Sequence, residues 1–327
     1  MLIIRRHNTD PYFNLATEEY VLKEIPEDSF MLWRNAPSII VGKHQNTLAE
    51  INLDYVRQNN IAVVRRLSGG GAVFHDLGNL NFTFTQTAED ENLINFRKYT
   101  GQILEVLQNL GIDARFEGRN DLTISGKKFS GNAMHIWNNK VLHHGTLLFS
   151  SHMPDLSQAL KADPSKFRDK AVKSVRSRVT NISEHLKEPM DVLQFAERIQ
   201  DHMVKKYPDA MLYDLNEEDH AKIRELVRTK YGTWEWNFGY SPKYTFRKVL
   251  RTERSGTIDV NLDVHDGIIR EVRIFGDYFN KCDTEEIETA LTGIAHEERA
   301  IRQAVADFEI GDYFNNLTAD EFLNGLF

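Results

Sequence analysis

Residues 65–76 read Arg65-Arg66-Leu67-Ser68-Gly69-Gly70-Gly71-Ala72-Val73-Phe74-His75-Asp76. The run enters from a β-branched stretch, Ile61–Val64, and returns to apolar residues at Ala72–Phe74. That is strand, glycine turn, strand. Consecutive glycines let the chain turn sharply and let a ligand approach the main chain. Successive bare N–H groups can form an anion-binding nest. Arg65 and Arg66 add guanidinium forks, which suit phosphate or carboxylate. No Gly-Lys-Ser/Thr closes the loop, so it is not a P-loop, and Phe74 stands where a dinucleotide fingerprint needs glycine. A structural turn flanked by solvated arginines is the plainer reading of the same residues.

Outward from the loop, both directions carry mixed elements. Residues 11–25 open with Pro11 and set Leu15, Val21 and Leu22 among Glu18, Glu19 and Lys23, which predicts an amphipathic helix. Phe30–Trp33 and Ser38–Val41 are strand-like. Downstream, Asp76-Leu77-Gly78-Asn79 reads as a turn, Asn81–Thr85 as a strand and Asn92–Leu110 as a helix stopping before Gly111. Residues 112–149 read mainly as β, with Asn138-Asn139 as a hairpin signal. Residues 155–182 are polar and carry no clear period. Helices are expected near 189–206 and 216–230.

The character changes after Trp234–Lys243. Thr257–Val264 alternates, Asp266-Gly267 is a hairpin turn and Ile268–Phe275 returns. Asp283 reads as the N-cap of a helix near 283–292, and another helix is expected near 296–307. The expected division is residues 1–243 and 244–327, the second a small α+β module.

The 327 residues suffice for two domains, and 41% hydrophobic with 27% charged residues gives a soluble globular composition. A net charge of −8 is a poor basis for nucleic-acid binding. Cys282, the single cysteine, excludes an intramolecular disulfide and a cysteine metal cluster. No apolar run of about 18 residues is present for a membrane span. The expectation is a cytoplasmic monomer with no nucleic-acid and no membrane partner.

Gly118-Arg119-Asn120-Asp121 and Gly126-Lys127-Lys128-Phe129-Ser130-Gly131-Asn132-Ala133 form a second candidate region. An ammonium beside bare backbone can hold a carboxylate against a phosphate. An exposed hairpin tip accounts for the same lysines, and spacing does not say which lysine points inward. His143-His144-Gly145-Thr146 lies on a strand, where neighbours face opposite ways, so both histidines cannot line one pocket. Neither they nor His75-Asp76 form a zinc pattern.

Together these words resemble the lipoate–protein ligase family. They are Arg65-Arg66-x-Ser68-Gly69-Gly70-Gly71-Ala72-Val73-Phe74-His75-Asp76, Gly118-Arg119-Asn120-Asp121, Lys128-x-Ser130-Gly131-Asn132-Ala133, His143-His144-Gly145-Thr146-Leu147-Leu148 and Ser174-Val175-Arg176-Ser177-Arg178-Val179-Thr180-Asn181, in family order. The resemblance covers nearly the whole chain. It implies a mixed α/β (α+β) catalytic domain, like biotin ligases and class II aminoacyl-tRNA synthetases, followed by an α+β accessory domain. It implies two half-reactions: lipoate and ATP give lipoyl-AMP and pyrophosphate, and a carrier lysine then takes the lipoyl group. Acceptors would be lipoyl domains of 2-oxoacid dehydrogenase E2 subunits and the glycine-cleavage H protein.

Carried over, Lys128 is the catalytic lysine at the lipoyl carbonyl and the adenylate phosphate. Arg66, Gly71, Ala72, Val73, Phe74, Asp121 and Arg178 fall among ATP and adenylate contacts, and residues 174–181 form a loop over the adenylate. Ser68, Gly69, Gly70, Gly71, Lys128 and His144 fall in the lipoate site. Val73, Phe74 and Phe82 are candidates for its apolar slot. Mg²⁺ would neutralise pyrophosphate, with Asp121 a candidate ligand. No base for the transfer step is identified.

Rivals are an ATP-independent octanoyl or lipoyl transferase, a biotin ligase, and a binding protein without activity. Cys282 lies outside every motif, which disfavours a cysteine nucleophile. Lipoyl amide is expected to form from free lipoate with ATP and not without it; formation without ATP, measured on an acceptor domain, would select the transferase.

Overall fold

Among the described residues, strands form in chain order: β1 (Leu2–Ile4), β2 (Ser29–Trp33), β3 (Ser38–Val41), β4 (Ala62–Arg65), β5 (Val73–His75), β6 (Asn79–Thr87), β7 (Ala114–Glu117), β8 (Asp121–Ile124), β9 (Lys127–Trp137), β10 (Lys140–Leu148), β11 (Phe167–Asp169), β12 (Met211–Tyr213), β13 (Tyr244–Thr252), β14 (Gly256–His265) and β15 (Ile268–Gly276). The structure, a computed structural model, describes residues 1–88, 95–118, 120–160, 167–169, 179–252, 255–276, 278, 280–314 and 316–327. The chain divides into one unit of Met1–Lys43, Asn60–Leu160 and Ser174–Thr233, and another of His44–Asn59, Lys161–Lys173 and Trp234–Phe327.

The first unit is built on an eight-stranded sheet of order β12-β1-β2-β6-β10-β9-β8-β7. β1 runs parallel to β12 and β2, while β2, β6, β10, β9, β8 and β7 pair antiparallel in turn. Strand alternation divides its two faces by chemistry. One face sends Phe82, Phe84, Leu122, Ile124, Val141 and Leu147 into the core. The helices Phe96–Asn109 and Val192–Lys206 supply Ile103, Leu107, Phe195 and Ile199 to the same core. The other face carries Asn81 and Thr83 on β6 and His144 on β10, and there the helix Pro11–Glu24 packs.

That helix is not amphipathic in the expected sense. Asp10 caps it by accepting from the Tyr12 N–H at 2.8 Å, and Pro11 opens it. Yet Glu18 and Glu19 are 2% and 3% exposed. A buried carboxylate needs partners. Glu19 accepts from Lys23 at 2.6 Å and from Lys230 and Tyr231 at 2.7 Å, which fastens the helix to residues 230–231.

A smaller sheet, β4-β3-β5, pairs β3 parallel with β4 and antiparallel with β5. It carries the glycine loop between its outer strands.

The second unit has the sheet β11-β13-β14-β15. Its alternate residues Ile258, Val260, Leu262 and Val264 are buried against Ile287, Leu291, Ile301 and Phe322. Asp266 and Gly267 both take positive φ, 51° and 71°, as a two-residue hairpin requires. Thr47 donates to the Asn237 carbonyl at 2.6 Å, and Arg57 pairs with Glu298 at 2.7 Å; these tie His44–Asn59 to this unit. The helix Glu285–Leu291 starts one residue later than expected: Thr284 is its N-cap, and Asp283 accepts from the Glu285 N–H at 3.0 Å instead. Among the described residues, no helix is long and apolar enough to cross a membrane.

Three buried histidines are held neutral. Burial lowers His75 to about 3 and His296 to about 4, and holds His143 well below its ordinary value. Each binds a proton more readily once unfolded. Their contribution is therefore complete above the unfolded pKa of about 6.5 and shrinks as pH falls, by up to about 1.4 kcal/mol per group per pH unit. The urea midpoint is expected to drop from pH 7.5 to pH 5.5; an equal or higher midpoint at pH 5.5 would contradict this.

Candidate active site

The glycine loop is held from behind by Arg66. Its guanidinium is buried, and burial lowers its pKa to about 10, so it stays charged at neutral pH. Nε donates to Ser68 Oγ at 3.0 Å, Nη1 to the Ile40 carbonyl at 3.0 Å, and Nη2 to the carbonyls of Gly69 and Gly71 at 2.7 and 2.9 Å. The side chain braces the loop rather than standing at its entrance. Arg65 is fully buried and donates to the carbonyls of Gly42 and Lys43 at 3.0 Å. The solvated-arginine reading is thereby corrected for both residues. Gly70 has φ +93°, and its carbonyl lies where a Cβ on Gly42 would stand, at 2.0 Å. The loop can lie on the end of β3 only because both residues lack a side chain.

Ala72 and Phe74 are buried and Val73 is partly exposed. β5 is an edge strand, so alternate backbone groups of Val73 and Phe74 face away from β3.

Ser68 connects the loop to the large sheet. Its Oγ lies 2.6 Å from His144 Nε2. On the other side of the ring, Nδ1 lies 2.9 and 3.0 Å from the two carboxylate oxygens of Glu18. Thr83 donates to Glu18 Oε1 at 2.6 Å, and Trp33 Nε1 donates to Thr83 at 2.9 Å. His143 faces the opposite way, as strand alternation requires. It is fully buried and stacks on Tyr99 and Phe82, with centroids 4.8 and 5.7 Å apart. Phe82 thus lies on the core face, opposite His144.

Lys128 reaches the His144 face because β9 is irregular. Asp121 pairs with Gly131 and Leu122 with Ser130, but Thr123 pairs with Lys128, so Phe129 is an extra residue. Strict alternation from Gly131 would put Lys127 on the site face and Lys128 on the core face. The bulge reverses this. Phe129 is buried in the core, Lys127 is exposed, and the Lys128 ammonium pairs with Asp121 at 2.8 Å. The amine lies over Gly131, 3.2 Å from where a Cβ would be.

Two rows of the same face follow from the register. One runs Asp121, Gly131, Thr146, Asn81, Trp33, with the Gly131 N–H donating to Thr146 Oγ1 at 3.2 Å. The next runs Ala133, His144, Thr83, Met31. Residues two apart on a strand are separated by about 7 Å. Lys128 pairs with Thr123, one row beyond Asp121, and its side chain reaches back over Gly131, so that its amine stands in the row next to that of His144.

Of the last motif, Arg178 and residues 174–177 lie outside the described residues. Val179 bridges Lys128, and the Thr180 N–H donates to the Lys128 carbonyl at 3.0 Å. Asn181 brackets Ser151, accepting from its N–H at 2.9 Å and donating to its carbonyl at 3.1 Å. The end of this motif is therefore fixed to the strand that carries the candidate lysine. Arg119 also lies outside the described residues. Cys282 packs against the core of the second unit.

Glu18 and Thr83 were not singled out by sequence. The available signal was the carboxylate pair Glu18-Glu19 within an otherwise apolar helix turn. Among the described residues, no group of three His, Cys, Asp or Glu side chains could hold a metal.

Comparison with known proteins gives the family. Residues 10–204 match the family described as the lipoyl protein ligase A/B catalytic domain, and residues 241–326 match the bacterial lipoate protein ligase C-terminus. Lipoate–protein ligase 1 of Staphylococcus aureus is 42% identical over 326 residues, covering 99% of each chain. The bipartite lipoate protein ligase of Thermoplasma acidophilum, solved in a study of that ligase and its E2 lipoyl domain, is 26% identical with a TM-score of 0.64, covering 77% of this chain and 98% of that one. A lipoate-protein ligase A bound with ATP is 25% identical with a TM-score of 0.63, covering 73% of this chain and 98% of that one. With a catalytic-domain match over more than half its length and a relative aligned from end to end, the chain belongs to the lipoate–protein ligase family.

Proposed function

We propose that this chain activates lipoate with ATP to give lipoyl-AMP and pyrophosphate, then transfers the lipoyl group to a lysine of a lipoyl domain. The acceptors are E2 subunits of 2-oxoacid dehydrogenases and the glycine-cleavage H protein, and the working form is a monomer. The chemistry is assigned to residues 1–243 and an accessory role to 244–327. The observation that carries the reading is Lys128, turned by the Phe129 bulge onto the face that holds Ser68 and His144.

Adenylation brings a carboxylate against a polyphosphate. Their repulsion must be screened while charge builds on the α-phosphate oxygens. A fixed ammonium does this best where water is restricted. The Lys128 amine has three donors, and Asp121 accepts one at 2.8 Å. Asp121 aims the amine and leaves two N–H groups for the lipoyl carbonyl and the adenylate phosphate. Arg66 acts through the loop: by drawing the Gly69 and Gly71 carbonyls toward itself, it sets the backbone that would receive substrate. Gly71, Ala72, Val73 and Phe74 would contact the adenylate through main-chain groups, with Arg178 in the covering loop. Ser68, Gly69, Gly70, Gly71 and His144 would line the lipoate side.

The described residues do not build a cage for Mg²⁺. Asp121, the one carboxylate considered for it, is already paired with Lys128. The ion would travel with the ATP phosphates and neutralise the leaving pyrophosphate.

Mass spectrometry of a purified lipoyl domain after incubation with this protein, ATP, Mg²⁺ and lipoate is expected to show one lipoyl amide. An unmodified domain would refute the proposal. Lys128→Ala is expected to keep the fold, since its ion pair is part-exposed and worth at most about 1 kcal/mol. It should lower lipoate-dependent pyrophosphate exchange by about 10²-fold or more. Undiminished exchange would remove Lys128 from the mechanism.

A further inference from the structure

The transfer half-reaction needs a proton acceptor. The incoming lysine has a pKa of about 10.4 and arrives as an ammonium with no free pair. We propose that Glu18, His144 and Ser68 form the array that accepts its proton, with Glu18 as the residue that positions His144. This rests on the ligase reading above and goes beyond it, because that reading identifies no base.

The donor and acceptor count sets the direction of the array. Nδ1 of His144 faces two carboxylate oxygens at 2.9 and 3.0 Å, and only a protonated nitrogen can meet them. In the neutral ring Nε2 is then an acceptor, and the group beside it, at 2.6 Å, is the Ser68 hydroxyl. Arg66 Nε–H can only donate, and it donates to the same Ser68 oxygen at 3.0 Å. The Ser68 proton is therefore committed to His144, and one lone pair is committed to Arg66. What Ser68 offers a ligand is its second lone pair. That pair suits an N–H donor and cannot donate to a carboxylate oxygen. Ser68 is 1% exposed in the empty site, so the amine must enter the lipoate loop to reach that lone pair.

Glu18 is suited to fix this order. It is 2% exposed on the helix Pro11–Glu24, and Thr83 donates to its Oε1 at 2.6 Å. Thr83 and the imidazole thus both bond the carboxylate, the arrangement of a hydroxyl–histidine–carboxylate triad.

The step balances. An N–H proton of the lysine ammonium passes to Ser68 Oγ as the Ser68 proton passes to His144 Nε2. The freed nitrogen pair attacks the acyl carbon. The C–N bond forms, the C–O bond to the adenylate breaks, and AMP leaves with the bond pair. The second surplus proton on nitrogen goes to water. Ser68 touches the reacting amine; Glu18 acts only through His144.

The test compares two acceptors with purified lipoyl-AMP as donor. One is a lipoyl domain, whose lysine must lose a proton first. The other is hydroxylamine, already neutral at pH 7. For Glu18→Gln, the ratio of lysine transfer to hydroxamate formation is expected to fall by about 10²-fold, the scale of general-base catalysis. Ser68→Ala, which removes the relaying oxygen without touching the helix, is expected to lower the same ratio, and it decides the matter if Glu18→Gln does not fold. An unchanged ratio in the folded variants overturns the array, since a merely structural role would lower both rates together. If the wild-type protein uses lipoyl-AMP with neither acceptor, the ligase reading fails and the array fails with it; variant-only effects bear on the array alone.

Discussion

The site rests on a cation that is not presented to solvent. Arg66 is enclosed, and four of its N–H groups are met by Ser68, Ile40, Gly69 and Gly71. A buried guanidinium that lost these acceptors would be left uncompensated, a penalty of about 3–5 kcal/mol. The loop is therefore shaped by the need to satisfy Arg66. Three glycines permit that shape but do not choose it. Charge in this loop acts first on the fold and only then on a ligand, because the same contacts that satisfy the guanidinium set the direction of the loop carbonyls.

The second constraint is the sheet's division into two faces. Phe82, His143, Leu122 and Phe129 fill the core side, while Thr83, His144, Gly131 and Asp121 share the other. Alternation in the sequence was enough to separate His143 from His144. It was not enough for Lys127 and Lys128. One inserted residue, Phe129, reverses the parity of β9, and no local composition announces it. The bulge follows from the core's demand for a phenylalanine next to Ser130, a tertiary requirement absent from the strand's own pattern. The family words singled out Lys128; only the register explains why that lysine, and not its neighbour, faces Asp121.

Much of the fold was legible for the usual physical reasons. Pro11, Gly111, Asn138-Asn139 and Asp266-Gly267 mark ends and turns that the chain does make, and the mixed α/β class followed from them. The short strands Met211–Tyr213 and Leu2–Ile4 were not legible, being three residues each and defined by long-range parallel pairing, the first with the second and the second also with Ser29–Trp33. Nor was the attachment of His44–Asn59 to the second unit, which depends on contacts such as Thr47 with Asn237, nearly two hundred positions apart in the chain. Glu18 was hidden for a different reason. A carboxylate among helix residues is ordinarily read as a solvent face, and its burial becomes intelligible only when His144 and Thr83 are seen to meet it.

The two polar clusters of the site differ in kind, and their separation follows from that difference. Lys128 with Asp121 is part-exposed, near 30% for each side chain, and keeps unsatisfied donors. Glu18 with His144 is enclosed, and the imidazole is bonded on one side to Glu18 and on the other to Ser68. An ammonium that stabilises developing negative charge would, if placed against His144, oppose the imidazole's uptake of a proton. The Lys128 amine reaches the row of Asp121 and Gly131, and His144 stands in the next row of the same sheet face. The sheet's spacing, fixed by backbone geometry before any side chain is chosen, thus keeps the part-exposed ammonium and the enclosed imidazole on successive rows of a single surface.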